Sequence, residues 1–189
     1  MQKIALVTGG GSGIGRTACL ALASAGFTIV LVGRRMEPLE AVAQSIRAKG
    51  GQALPLTCDV ADEAQVAKVF ATIRQTYGRL DLLFNNAGLF SPPGLLEDVE
   101  VAAWKAVVDV NLNGAYYCTQ HAFRIMKEQT PQGGRIINNG SISAVAPRPN
   151  SAAYTATKHA ITGLTKSAAL DGRKYDIAVS QIDIGNAET

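Results

Sequence analysis

Tyr154 and Lys158 lie four residues apart in a stretch of helical character, and their side-chain types form an acid–base pair. Residues at i and i+4 of a helix share a face, so phenol and ammonium would stand side by side. A phenol with an ordinary pKa near 10 is a poor base at neutral pH, and a neighbouring cation favours its phenolate. A second chemistry is placed near the N-terminus, where Gly9-Gly10-Gly11-Ser12-Gly13-Ile14-Gly15 joins a short apolar run to a helix-like stretch. Backbone N–H groups at such a helix start, aided by the positive end of the helix dipole, bind phosphate, and glycine lets the ligand approach closely.

Two phosphate motifs compete for that loop. Gly10 through Thr17 nearly matches the nucleoside-triphosphate pattern G-x-x-x-x-G-K-[ST], but Arg16 stands where the compact lysine ammonium is required, which disfavours a triphosphatase. Gly13-x-Gly15-x-x-Ala18 instead fits the dinucleotide pattern G-x-G-x-x-G/A. In that pattern a carboxylate at the end of the second strand bonds the ribose 2′-hydroxyl. The corresponding segment here is Val32-Gly33-Arg34-Arg35, with no carboxylate, and a guanidinium at Arg34 or Arg35 could grip a 2′-phosphate. NADP is therefore favoured over NAD.

The elements that must position these groups follow from apolar patterning. Strands are predicted at Ile4–Thr8, Thr28–Val32, Ala53–Thr57, Leu80–Asn85, Arg135–Asn139 and Ile177–Ile182. A first helix runs to Ala25 with Gly26 behind it, and a second opens near Pro38, carries Leu39, Val42, Ala43 and Ile46 on one face, and stops at Gly50-Gly51. Asp62 with Gln65 resembles a capping box opening a third helix that Gly78 ends. A long helix spans about Ala102 to Lys127, and a last one Ser151–Asp171. Strands apolar on both faces and separated by helices imply a parallel sheet covered on both sides, a doubly wound α/β fold of three layers, α/β/α. Ser141, thirteen residues before Tyr154, then lies just past the fifth strand, at the carboxyl edge where such sheets bind ligands.

The chain has 189 residues, 47% hydrophobic and 17% charged, with a net charge of +3. That is enough apolar content for one core and one domain, residues 1–189, and no linker divides it. Basic residues are scattered, which excludes a nucleic-acid or membrane-surface role. The three cysteines have no paired or Cys-x-x-Cys spacing, and the N-terminal apolar run is too short for a secretory signal or a membrane span. A reducing, cytoplasmic setting is expected. His121 and His159 are the only histidines; no carboxylate partner is suggested for either, and both are read as structural, with no metal site.

Taken together, these residues resemble the short-chain dehydrogenase/reductases, in the branch with chains of intermediate length. Thr8-Gly9-x-x-x-Gly13-x-Gly15 looks like the family's cofactor loop, Asn85-Asn86-Ala87-Gly88 like its motif after the fourth strand, and Tyr154-x-x-x-Lys158 like its catalytic pair. The resemblance covers essentially the whole chain and implies a Rossmann fold. It implies hydride transfer between a nicotinamide and a small alcohol or carbonyl substrate, with a proton arriving at or leaving the oxygen. Tyr154 would be the general acid/base, Ser141 would hydrogen-bond the substrate oxygen with Ser143 as a nearby substitute, and Lys158 would also hold the nicotinamide ribose. Asn111 would hold a relay water, its side chain being both donor and acceptor.

The cofactor set would comprise Thr8, Gly9, Gly11, Ser12, Gly13, Ile14 and Gly15 in the loop. Arg34 and Arg35 would meet the 2′ position, Asp59 and Val60 the adenine, and Thr189 the carboxamide. Asn86, Ala87 and Gly88 would flank the cofactor, with Asn85 and Asn86 also tying the central sheet through side-chain-to-backbone bonds. Two departures stand out: Ile184-Gly185 replaces the family's proline-glycine, and the family's substrate-covering segment and seventh strand have no counterpart before Thr189, so the domain reads as C-terminally incomplete. The family resemblance also implies a homodimer or homotetramer. The alternative to an enzyme is a catalytically silent dinucleotide-binding regulator or scaffold.

Overall fold

The computed structural model describes residues 2–90 and 93–186. Six apolar segments become six parallel strands: β1 Lys3–Thr8, β2 Phe27–Gly33, β3 Ala53–Thr57, β4 Leu82–Asn85, β5 Gly134–Asn139 and β6 Ile177–Ile182. Their order in the sheet is β3-β2-β1-β4-β5-β6. The chain steps outward from β1 to β3 and then crosses back to lay β4 on the other side of β1. A crevice opens at the carboxyl ends of β1 and β4, where the winding reverses.

Alternation along each strand assigns the two faces. Ala5, Val7, Ile29 and Leu31 pack with Cys19, Leu39, Val42 and Ile46, from helices α1 (Gly13–Ser24) and α2 (Met36–Arg47). Ile4, Leu6, Val30 and Leu83 pack instead with Val66, Phe70, Cys118 and Met126, from α3 (Glu63–Tyr77) and α5 (Gly114–Glu128). A further helix, α4 (Val101–Val108), precedes α5, and α6 (Ala152–Gly172) lies against β6 and α4. The doubly wound three-layer arrangement is the predicted one, because a strand apolar on both faces is stable only when helices cover both.

Three local predictions need correction, each for a physical reason. Asp62 does cap α3, accepting from Ala64 N (2.9 Å) and Gln65 N (3.1 Å). The Gln65 amide, however, reaches past the cap and accepts from Asp59 N at 3.0 Å, because the Asp62 N–H is already taken by the Asp59 carbonyl. β4 starts at Leu82 rather than Leu80. The buried Gln129 side chain holds both peptide groups of Leu80, accepting from its N–H at 2.8 Å and donating to its carbonyl at 3.0 Å, so Leu80 is hydrogen-bonded outside the sheet. The predicted long helix is broken by one wide π-type turn, Asp109–Asn113.

The three cysteines are free and buried, and burial pushes the thiols of Cys19 up to about 12 and Cys58 up to about 11. Among the described residues no helix is long and apolar enough to cross a membrane. Replacing Gln129 by Ala strands the Leu80 N–H in the core. Urea unfolding of Gln129→Ala is expected to show a loss of about 2–3 kcal/mol, the cost of an orphaned buried donor plus lost bonds.

Candidate active site

The crevice is built from the end of β1 outward. The Thr8 hydroxyl accepts from the backbone N–H groups of Asn86 (2.9 Å) and Ala87 (3.0 Å), just past β4. The Asn86 amide donates to the Thr8 carbonyl at 2.9 Å and accepts from the Asn139 side chain at 3.0 Å. These bonds stitch the ends of β1, β4 and β5 together, as expected of Asn86. Gly9 turns the chain at φ +66°, and α1 returns so closely that a Cβ on Gly15 would sit 2.1 Å from the Gly9 carbonyl oxygen. Only glycine fits there. Ser12 makes no side-chain cap and the first turn of α1 holds no acid, so among the described residues no capping side chain or first-turn carboxylate competes with an anion for that helix end.

Two adjoining cavities of about 210 Å³ and 680 Å³ run along this edge and share Gly9, Ser12, Ala87, Gly88 and Leu89. The smaller is bounded by Gly11, Arg34, Arg35, Asp59 and Val60, and the larger by Gly13, Ile14, Asn86, Ser141, Tyr154 and Lys158. The structure thus brings the predicted cofactor residues to one cleft, with Thr8 and Gly15 forming its support rather than its lining. Thr189 lies outside the described residues. A third cavity, about 340 Å³ at the opposite sheet edge, has Lys49 as its one ionisable lining residue and gathers no acid–base set.

Lys158 and Tyr154 share a face of α6, with the Lys158 Nζ 5.4 Å from the centre of the Tyr154 ring. Lys158 is 7% exposed and donates to the Asn139 carbonyl at 2.6 Å. Burial pushes its ammonium down to about 8, against a smaller opposing pull from the Asp183 carboxylate. Ser141 is buried and its hydroxyl oxygen accepts from Ser143 N at 3.1 Å, which fixes Oγ and leaves the hydroxyl proton to donate. Ser143, the substitute considered above, therefore serves Ser141 through its backbone, although it lines the same cavity.

Asn111 sits in the wide turn between α4 and α5, behind the cavity wall. Its amide accepts from Leu89 N (2.7 Å) and donates to Leu89 O (2.9 Å) and Thr157 Oγ1 (3.3 Å). Both of its N–H bonds are thus spent, so a relay water would have to donate to its oxygen atoms. The π-type turn is the local price of this clamp, and such turns recur at functional sites.

Several site residues escaped sequence reasoning. Phe90 stacks on Tyr154, with ring centres 4.8 Å apart and planes at 20°. Arg148 enters the larger cavity and donates to Asn186 at 2.8 Å, and Asp183 accepts from the Ser141 N–H at 3.1 Å. The missing proline of Ile184-Gly185 marked this last segment as unusual without saying what replaced it. His121 stacks on Phe70 and has a carboxylate neighbour after all, Glu63 at 3.9 Å, beyond hydrogen-bond reach; burial lowers its pKa. Exposed His159 donates from Nδ1 to the Thr155 carbonyl within its own helix.

A dinucleotide cleft joined to a buried lysine, a tyrosine and a serine defines an oxidoreductase working on an alcohol or carbonyl carbon with NAD(P). The model of the short chain dehydrogenase family matches residues 3–189, and the chain belongs to that family. It is 40% identical over 188 residues to a 3beta-hydroxysteroid dehydrogenase of Mediterraneibacter gnavus, covering 100% of this chain and 67% of that one. Among solved structures, a putative short-chain alcohol dehydrogenase from Sinorhizobium meliloti superimposes with a TM-score of 0.94 at 34% identity, over 100% of this chain and 74% of the other. An NAD+-bound xylitol dehydrogenase does so with a TM-score of 0.92 at 37% identity, over 97% and 70%.

The buried ammonium has a consequence for stability. Folding lowers the Lys158 pKa from 10.5 to about 8, so between those values the unfolded chain binds a proton the folded chain has released. Stability from this group therefore rises with pH across that window. Urea unfolding free energies of the wild type, compared with Lys158→Met from about pH 7.5 to 10, are expected to show an extra rise on the order of 2–3 kcal/mol that the variant lacks.

Proposed function

We propose that Tyr154 is the general acid/base of a reversible alcohol–carbonyl interconversion, with Ser141, Lys158 and Asn111 as its catalytic partners. The observation that carries this reading is the meeting of Tyr154, Lys158 and Ser141 on one cavity continuous with the glycine-loop cleft. A nicotinamide cofactor, when bound, supplies or takes up the hydride. The uncapped α1 start, the Gly9–Gly15 contact and the Ala87-Gly88 opening fit its pyrophosphate and ribose, and Tyr154 and Lys158 would hold the nicotinamide ribose.

In the reducing direction the Tyr154 hydroxyl gives its proton to the substrate oxygen while Ser141 donates a hydrogen bond to the same atom. The Lys158 ammonium offsets the charge left on the phenolate. Asn111 stands at the inner end of the proton route, tied to α6 through Thr157, whose hydroxyl donates to the Tyr154 carbonyl at 2.8 Å. Phe90, Ile142 and Pro149 line the substrate side, which suits an alcohol on an apolar skeleton, in keeping with the steroid relative. Exposed Val101, Trp104, Tyr116 and Leu170 on α4, α5 and α6 support a homodimer or homotetramer built on those helices, and three free thiols support a cytoplasmic setting.

NADP is the proposed cofactor, because β2 ends in Gly33-Arg34-Arg35 with no carboxylate among these residues, and Arg34 and Arg35 border the smaller cavity. The NAD reading is favoured by the NAD+ in the similar xylitol dehydrogenase and by the NADH in a similar 3-ketoacyl-(acyl-carrier-protein) reductase from Brucella melitensis. Fluorescence titration separates them. Arg34→Ala with Arg35→Ala is expected to weaken NADPH about 10- to 100-fold and NADH less than about twofold, whereas equal or tighter NADH binding by the wild type assigns the protein to NAD. Tyr154→Phe is expected to lower turnover of a panel of cyclic and open-chain alcohols by about 10²- to 10⁴-fold while cofactor affinity stays within about threefold. Unchanged turnover in that variant refutes the assignment, and a wild type inert toward the whole panel leaves the silent regulator as the better reading.

A further inference from the structure

We propose that Asp183 is a positioning residue of the active site: its carboxylate fixes the backbone of Ser141 and thereby aims the Ser141 hydroxyl. The inference rests on the reading of Ser141 given above. Beyond the last paired residues of β5 and β6 the two chains stay in register, with Gly140 N donating to Ile182 O at 2.9 Å and Ile142 N to Ile184 O at 3.4 Å. In a parallel ladder alternate N–H groups point away from a given neighbour, so the Ser141 N–H between these two bonds has no carbonyl of β6 to meet. The Asp183 Oδ1 takes it at 3.1 Å.

The carboxylate is itself held. Gln181 donates to the same Oδ1 at 2.6 Å, and the Gln181 amide is fixed to α6, donating to Thr162 Oγ1 at 3.0 Å and accepting from Thr165 Oγ1 at 3.3 Å. Asp183 and Gln181 together therefore tie the end of β5, the end of β6 and the helix that carries Tyr154 and Lys158. Space for them comes from Gly140, where a Cβ would lie 2.2 Å from Asp183 Oδ1 and 2.7 Å from Gln181 Nε2. The carboxylate also favours the charged form of Lys158. Besides Lys158, Tyr154 on the same helix and Arg148 from the preceding loop are the ionisable residues that line the larger cavity. A carboxylate suits both duties, since an ionised acceptor holds an N–H more strongly than a neutral one.

The test uses Asp183→Ala and the acceptor-preserving Asp183→Asn, read by amide hydrogen exchange and by steady-state kinetics. In Asp183→Ala the Ser141 N–H is expected to exchange at least about tenfold faster while the central amide of Ile136 is unchanged, and Asp183→Asn restores protection. With the alcohol the wild type turns over, Asp183→Ala is expected to lose at least about tenfold in kcat, with KM and NAD(P)H affinity within about twofold, and Asp183→Asn to recover to within about threefold. Ser141 exchange that is the same in Asp183→Ala and wild type overturns the proposal, and so does faster exchange with unaltered kcat, which would make Asp183 a structural tie only. Exchange needs no turnover, so a wild type inert toward every alcohol sinks the functional reading of Ser141 separately from the Asp183 contact. If Asp183→Ala does not fold, Asp183→Val, which suits the extended chain and has no side-chain acceptor, carries the same readout, and Ser141 exchange in it equal to that of the wild type is the overturning result.

Discussion

The strand ends at the reversal point of this sheet have peptide groups that no neighbouring strand can pair, and the molecule depends on how side chains take them up. Asn86 and Asn139 do most of this. The Asn86 amide braces Thr8 at the end of β1, the Asn139 amide braces Asn86, and the Asn139 carbonyl receives the Lys158 ammonium. The glycine loop, the central strands and α6 are thus coupled through two neutral amides and one buried cation. Moving any one of them would shift the others, which is why the cleft and the acid–base set keep a fixed relation.

The same coupling carries an energetic conflict. A buried ammonium with one carbonyl partner costs stability, and an apolar residue of similar volume would remove that cost. Under the proposed mechanism the cation is kept because the chemistry at Tyr154 needs positive charge at that spot. Its environment is arranged to limit the penalty, with a short bond to Asn139 O, the face of the Tyr154 ring and a carboxylate at a distance.

What the order of residues revealed, and what it hid, follows the range of the forces involved. Strand faces, the capping aspartate of α3 and the i, i+4 pairing of Tyr154 with Lys158 are set by neighbours in the chain, and all could be read directly. The start of β4 depends on Gln129, forty-nine residues away from Leu80, and the π-type turn depends on the Asn111 clamp on Leu89, twenty-two residues away. No periodicity records such contacts. Asp183 was hidden for the same reason, since its meaning appears only when the register of β5 on β6 puts it beside Gly140 and Ser141. The family motifs located the cleft because they are the residues every neighbouring element converges on, whereas Phe90 and Arg148 belong to loops whose course no local rule dictates.

Helix α6 carries Tyr154 and Lys158 to the larger cavity and, a turn further on, Thr162 and Thr165 toward the Gln181 brace. Successive residues of a helix are rotated by about 100°. Adding or deleting one residue between Lys158 and Thr162 would swing one group out of phase with the other, however well the new residue suited a helix. This segment is therefore a gauge of fixed length: its composition has latitude on the outer side, and its residue count has none.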